Sequence, residues 1–138
     1  MQFNKETSIG FALTTTLNLL RKNFNKSVRD FGLSSEQYGV LKLVSESEKL
    51  TPTQIAELLN RDKATITRII KALSQKGFIT KKNINNRSFY IELTAQGREI
   101  LEKTNKIALE YHQMILEQIG EDDIKHMLNT LKKIRELF

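Results

Sequence analysis

The chain has 138 residues, 28% of them charged, and no Cys, a size that suits one ordinary domain around one core and a composition that excludes disulfides, thiolate metal ligands and a cysteine redox sensor. Its formal net charge of +6 is local: residues 1–60 net +1, 61–90 net +7 and 91–138 net −2. Between Arg61 and Tyr90 eight Lys or Arg face one acid, Asp62, and a basic segment of that kind inside a folded domain points to a polyanionic partner.

The first residues carry spaced apolar side chains and no charged start followed by a small-residue cleavage site, so the reading is a cytoplasmic chain without signal peptide or membrane span. Ile9, Leu13, Leu17, Leu20, Phe24, Val28 and Phe31 recur every three or four residues and predict a long amphipathic helix ending near Phe31-Gly32. Ser34 with Gln37 forms a capping-box pattern, and Leu33 with Tyr38 a hydrophobic staple, so a second helix starts there and turns Val40, Leu41 and Val44 inward. Thr51, Pro52 and Gln54 give another helix start, and that short helix is expected to bury Ile55, Ala56, Leu58 and Leu59.

Asn60-Arg61-Asp62 breaks the short helix, and Asp62 can cap the next one, about Lys63 to Lys76, whose inward positions are Ile66, Ile69, Ile70 and Leu73. Two short helices joined by a tight turn make a helix-turn-helix. Gly77 and Phe78 fit a Schellman-type stop, and the segments Phe78 to Lys82 and Arg87 to Leu93 flank a turn over 83–86, a β-hairpin with Phe89, Ile91 and Leu93 on its inner face. Thr94 caps a final helix pair, about 95–119 and 121–137, with stripes at Ile107, Tyr111, Met114, Ile115 and at Ile124, Met127, Leu128, Leu131, Ile134, Leu137. Those stripes exceed what a small winged core can cover, which leaves either an intramolecular bundle or a dimer interface.

At about 100° per residue, the face opposite the apolar stripe of the 63–76 helix carries Ala64, Arg68, Lys71 and Gln75, with Thr65 and Thr67 on its flanks. A small, cationic face suits a DNA major groove, where Arg or Lys donates to guanine and Ala or a Thr methyl meets a thymine methyl. Lys63, Thr65 and Thr67 are candidates for phosphate or mixed contacts. Arg87 in the hairpin loop can reach a phosphate or the minor groove, beside Asn85, while Lys81 and Lys82 are candidate backbone contacts. Thr53 and Gln54 at the supporting helix's N-terminus can donate to phosphate, although capping explains Gln54 equally well. A solvated charged face is the alternative for all of these cations.

No phosphate-binding Gly loop, Gly-x-Ser-x-Gly, His-Glu-x-x-His or Cys nucleophile occurs, so no catalytic residue and no cofactor is expected. His112 and His126 stand apart from any close set of ligands, and no metal is expected.

The runs Leu33-Ser34-Ser35-Glu36-Gln37, Ile55-Ala56-Glu57-Leu58, Thr65-Ile66-Thr67-Arg68, Leu73 to Gly77, and Arg87 ahead of Leu93-Thr94-Ala95-Gln96-Gly97 together resemble the signature of the MarR family of winged-helix transcription regulators. The resemblance covers residues 33–98 by motif and the rest by helix arrangement. Two positions depart from it: Asn85 stands where the family usually has an acid, and Asn86 replaces a frequent Arg. The fold it implies is mainly α with a small β-hairpin wing, a winged helix-turn-helix over 33–93 with dimerisation helices over 1–31 and 95–138. The function it implies is a homodimeric, sequence-specific binder of double-stranded DNA, a repressor on a pseudo-palindromic operator. A small-molecule effector between the winged and dimerisation regions is also implied; Arg21, Lys22 and Tyr111 could border its site, yet surface charge and core packing explain them as well. Outside the resemblance, an architectural binder with little sequence preference and a winged helix that docks an acidic protein stay open.

Overall fold

The computed structural model describes residues 2–138, which form two compact units, one ending at Thr104 and the other spanning Asn105–Phe138. The first begins with α1 (Ile9–Val28), whose Ser8 hydroxyl caps the Phe11 N–H; a 3₁₀ turn, Arg29–Phe31, ends on left-handed Gly32. It continues with α2 (Ser35–Glu46), α3 (Pro52–Leu59), α4 (Lys63–Gln75), β1 (Ile79–Asn83) and β2 (Phe89–Leu93). α5 (Ala95–Ile119) starts in this unit, and α6 (Glu121–Arg135) belongs to the second.

Helix starts fall where the capping chemistry puts them. Ser34 and Thr51 each make a complete capping box, with Gln37 and Gln54 returning their side-chain oxygens to the cap N–H groups. Pro52 occupies the first turn of α3, where its missing N–H leaves no helical bond unmade. Removing the Thr51 hydroxyl leaves the Gln54 N–H without its partner, so Thr51→Ala is expected to cost about 1 kcal/mol in urea unfolding. Asn60 closes α3 in the left-handed conformation, which turns the chain into α4 within three residues.

Val28, Val40, Leu41, Ile55, Ile66, Leu73 and Ile91 are nearly or fully buried and form the centre of the first unit. Each contributes about 1.5–3 kcal/mol by leaving water. Phe24 packs edge-on against Tyr38 at 5.0 Å, and the Asn25 side chain accepts the Ser35 N–H at 2.6 Å, so α1 is fastened to the first turn of α2. Burial raises the Tyr38 hydroxyl pKa above its ordinary value.

Leu58 corrects the sequence expectation: it is 60% exposed. α3 buries Ile55 and Ala56, and Leu58 lies roughly a third of a turn from the centre of that face.

β1 and β2 pair antiparallel, from Ile79 opposite Leu93 to Asn83 opposite Phe89. Leu50 adds a backbone contact, its carbonyl accepting the Ile91 N–H at 3.0 Å. The strands begin later than the sequence suggests, because the Leu73 carbonyl takes the Phe78 N–H and the Asn85 side chain takes the N–H groups of Arg87 and Ser88. In the first unit Ile9, Leu13, Leu17 and Leu20 of α1 are exposed; in the second, Met127, Leu128 and Leu137 are exposed and Ile124 is buried.

Candidate nucleic-acid interface

The interface is built on α4 and the hairpin. Asp62 accepts the Thr65 N–H at 3.0 Å and so caps α4. The helix ends in a Schellman motif: left-handed Gly77 donates to the Ser74 carbonyl at 3.0 Å and Phe78 to the Leu73 carbonyl at 3.0 Å. With both ends fixed and Ile66, Ile70 and Leu73 buried, the opposite face presents Lys63, Ala64, Thr67, Arg68 and Lys71 to solvent.

Thr65 differs from its expected place. It is 8% exposed, and its hydroxyl donates to Asp62 at 2.5 Å while accepting from Arg68 at 3.2 Å, so it is a buried link within the turn and does not stand open as a phosphate ligand. Thr67 remains exposed; its hydroxyl donates to the Lys63 carbonyl at 2.8 Å, as helical Thr commonly does. The two hydrogen bonds from Thr65 hold the Asp62 carboxyl below its ordinary pKa.

Two of the eight cations in the basic segment are engaged by partners elsewhere in the chain. Arg61 pairs with Glu36 at 2.7 Å, and Lys76 bonds the Gly32 carbonyl and the Gln37 side chain. Both therefore anchor on the opening of α2, one from each end of α4. The other six, Lys63, Arg68, Lys71, Lys81, Lys82 and Arg87, are exposed. No acidic residue occurs from Lys63 to Ile91.

In the hairpin, Lys81 and Lys82 alternate across the strand and point to opposite faces. The Lys81 ammonium lies 4.9 Å from the Phe89 ring centre, a cation–π contact, whereas Lys82 stands opposite Tyr90. Asn85 folds the loop onto itself: its side-chain oxygen accepts the Arg87 N–H at 2.8 Å, the Ser88 N–H at 3.0 Å and the Ser88 hydroxyl at 3.2 Å. That oxygen shapes the loop, and the Arg87 side chain is exposed at the tip. On α3, Thr53 is exposed, and the Gln54 oxygen is held by the Thr51 N–H at 2.9 Å. The spacing Asp62, Thr65, Arg68 was visible in the sequence as three residues on one helical edge, but its hydrogen bonding needed coordinates.

A cavity of about 170 Å³ opens beside α4, lined by Arg21, Glu36, Arg61, Ile66 and Ile69 among others. Of the other two residues that could border an effector, Lys22 is exposed and Tyr111 lies on α5 in the second unit. Among the described residues no group of three or more His, Asp or Glu is placed to hold a metal, and no helix is long and apolar enough to cross a membrane.

Known proteins share this fold. The MarR family model matches residues 33–87, the stretch that contains α2, α3, α4 and β1 and ends within the wing loop. An organic hydroperoxide resistance transcriptional regulator of Bacillus subtilis is 32% identical over 133 residues, spanning 91% of this chain and 88% of the relative. An uncharacterized HTH-type transcriptional regulator of the same organism, YdgJ, is 26% identical over 106 residues, and the matched region spans 65% of its length. The crystal structure of a MepR–DNA complex from S. aureus shares the fold, with a TM-score of 0.85 at 21% identity over 94% of this chain and 96% of that one. Extensive identity to a transcriptional regulator, a family match over the helix-turn-helix and a shared winged-helix fold converge: the chain belongs to the MarR family of DNA-binding transcription regulators, which are not enzymes.

Proposed function

We propose that the chain is a homodimeric repressor that seats two α4 helices in successive major grooves of a pseudo-palindromic operator, about 34–36 Å apart. The observation that carries this is the acid-free, exposed face of α4 with the cationic hairpin beside it. In this reading Arg68, Lys71 and Ala64 meet base edges, Lys63 and Thr67 meet phosphate or sugar, and Thr65 acts within the protein. Arg87 enters the minor groove or meets a phosphate, with Asn85 shaping its loop; Lys82 and Lys81 contact the backbone from opposite faces of β1. Thr53, beside the α3 cap formed with Gln54, adds a phosphate contact. Residues 33–93 are the DNA-binding core of one cytoplasmic regulator, and the helices over 1–31 and 95–138 form the dimer.

The exposed apolar stripe of α1 supports a partner for that region, since apolar surface of this extent on a soluble helix marks an interaction site. The cavity beside α4 supports control by a small molecule, because a ligand there would touch both Arg61 and the inward side of α4. A few kcal/mol of difference in ligand affinity between two spacings of the reading helices is enough to release an operator.

Titration of the full chain against the duplex upstream of its own gene, with unrelated competitor DNA, tests this reading. A preference of about a thousandfold or more is expected. Arg68→Ala should cost about 1–3 kcal/mol and relax preference at one position in each half-site. Equal binding to both duplexes, weakened evenly by Arg68→Ala, would instead identify an architectural binder.

A further inference from the structure

The first turns of α4 contain a hydrogen-bonded series that runs from the cap to an outward cation. Asp62 accepts from both the N–H and the hydroxyl of Thr65, at 3.0 and 2.5 Å, and the Thr65 oxygen accepts from the Arg68 guanidinium at 3.2 Å. An ionised carboxylate only accepts, so the Thr65 hydroxyl must donate toward Asp62, which leaves its lone pairs for Arg68. The central member is 8% exposed and fixed by packing, while Asp62 and Arg68 reach solvent. Bonds in such a chain polarise and strengthen one another.

Arginine has extensive rotamer freedom, and DNA readout by a bidentate guanidinium depends on its orientation. We infer that Asp62 and Thr65 are positioning residues for Arg68: through the Thr65 hydroxyl they hold one guanidinium nitrogen against α4 and aim the remaining N–H donors outward. Base preference at the Arg68 position then depends on two side chains that contact no base. This rests on α4 being the DNA reader. Asp62 is a carboxylate at neutral pH by its ordinary pKa, and the Thr65 hydroxyl first, then its N–H, lowers that pKa further.

The test is selection of binding sites from a pool of random-sequence duplexes by the full-length protein and four variants, followed by affinities for the selected duplex and its single-base-pair changes. Arg68→Ala is expected to weaken binding about 5- to 150-fold and flatten one position per half-site. Thr65→Val keeps the side-chain shape and the capped N–H but deletes the hydroxyl; it should flatten the same position and weaken binding about two- to tenfold, the worth of one hydrogen bond. Thr65→Ser should retain the parent preference, and Asp62→Asn, which keeps a side-chain oxygen for the cap, should flatten the Arg68 position. The salt dependence of binding should be unchanged in Thr65→Val, since no phosphate contact is removed. Intact preference in Thr65→Val and Asp62→Asn, alongside flattening in Arg68→Ala, would overturn the positioning role and leave the α4 assignment standing. Unchanged preference in Arg68→Ala would overturn both.

Discussion

Gly97→Ala is expected to destabilise the chain by about 3 kcal/mol or more, because the new methyl would overlap backbone that cannot move freely. A Cβ at position 97 would collide with the Phe78 carbonyl oxygen and lie 2.9 Å from its carbon. That carbonyl accepts the Thr94 N–H at 3.1 Å, while the Thr94 hydroxyl donates to the Gly77 carbonyl at 2.6 Å and accepts the Gly97 N–H at 3.0 Å. Displacing Phe78 therefore disturbs the stop of α4, the start of β1 and the cap of α5 together. Gly39→Ala is the contrast: nothing lies within 4 Å of its Cβ position, and a helical Gly-to-Ala change there should be neutral or stabilise by up to about 1 kcal/mol. Urea unfolding of the two variants measures the difference, and an unshifted midpoint for Gly97→Ala would refute the close approach.

Operator binding is expected to fall about a thousandfold or more between 50 and 200 mM salt. Six outward cations on each protomer of the proposed dimer allow on the order of 6–10 phosphate contacts, each releasing counterions on binding. Arg87→Ala should reduce the salt slope by about one for each phosphate that the guanidinium neutralises. Lys76→Ala, by contrast, removes a cation whose ammonium is engaged by Gly32 and Gln37, and should leave the slope unchanged. Affinities measured across a salt series decide the matter: a shallow slope in the parent protein would remove the phosphate contacts from this face, and a slope altered by Lys76→Ala would show that this residue reaches the duplex.

What the sequence disclosed were features with local causes. Ser34 with Gln37, Thr51 with Pro52 and Gln54, and Gly77 after Leu73 act through backbone groups a few residues away, so their motifs locate helix ends almost to the residue. The outward face of α4 followed from helical period alone. Features that depend on packing were less visible. Leu58 is apolar yet turned outward because a helix of two turns has one narrow buried face. Thr65 lies on the flank of α4 by angle, but Asp62 pulls its hydroxyl into the turn. β1 starts one residue late and β2 two, because competing acceptors remove the flanking N–H groups from the ladder. Likewise, residue counts show eight cations in the basic segment but not that Arg61 and Lys76 face acceptors on distant parts of the chain.

Those two contacts bear on how reading helices can be exchanged among winged proteins. Arg61 precedes α4 and Lys76 follows it, and both end on neighbouring residues, Glu36 and Gln37, in the first turn of α2. The orientation of α4 is thus encoded partly outside its own sequence, like a beam whose two supports stand on one footing. A graft of residues 61–76 into another scaffold would transplant the letters of the reading face; its tilt would depend on the packing found by Ile66, Ile70 and Leu73 and on whether counterparts of Glu36 and Gln37 travel with it.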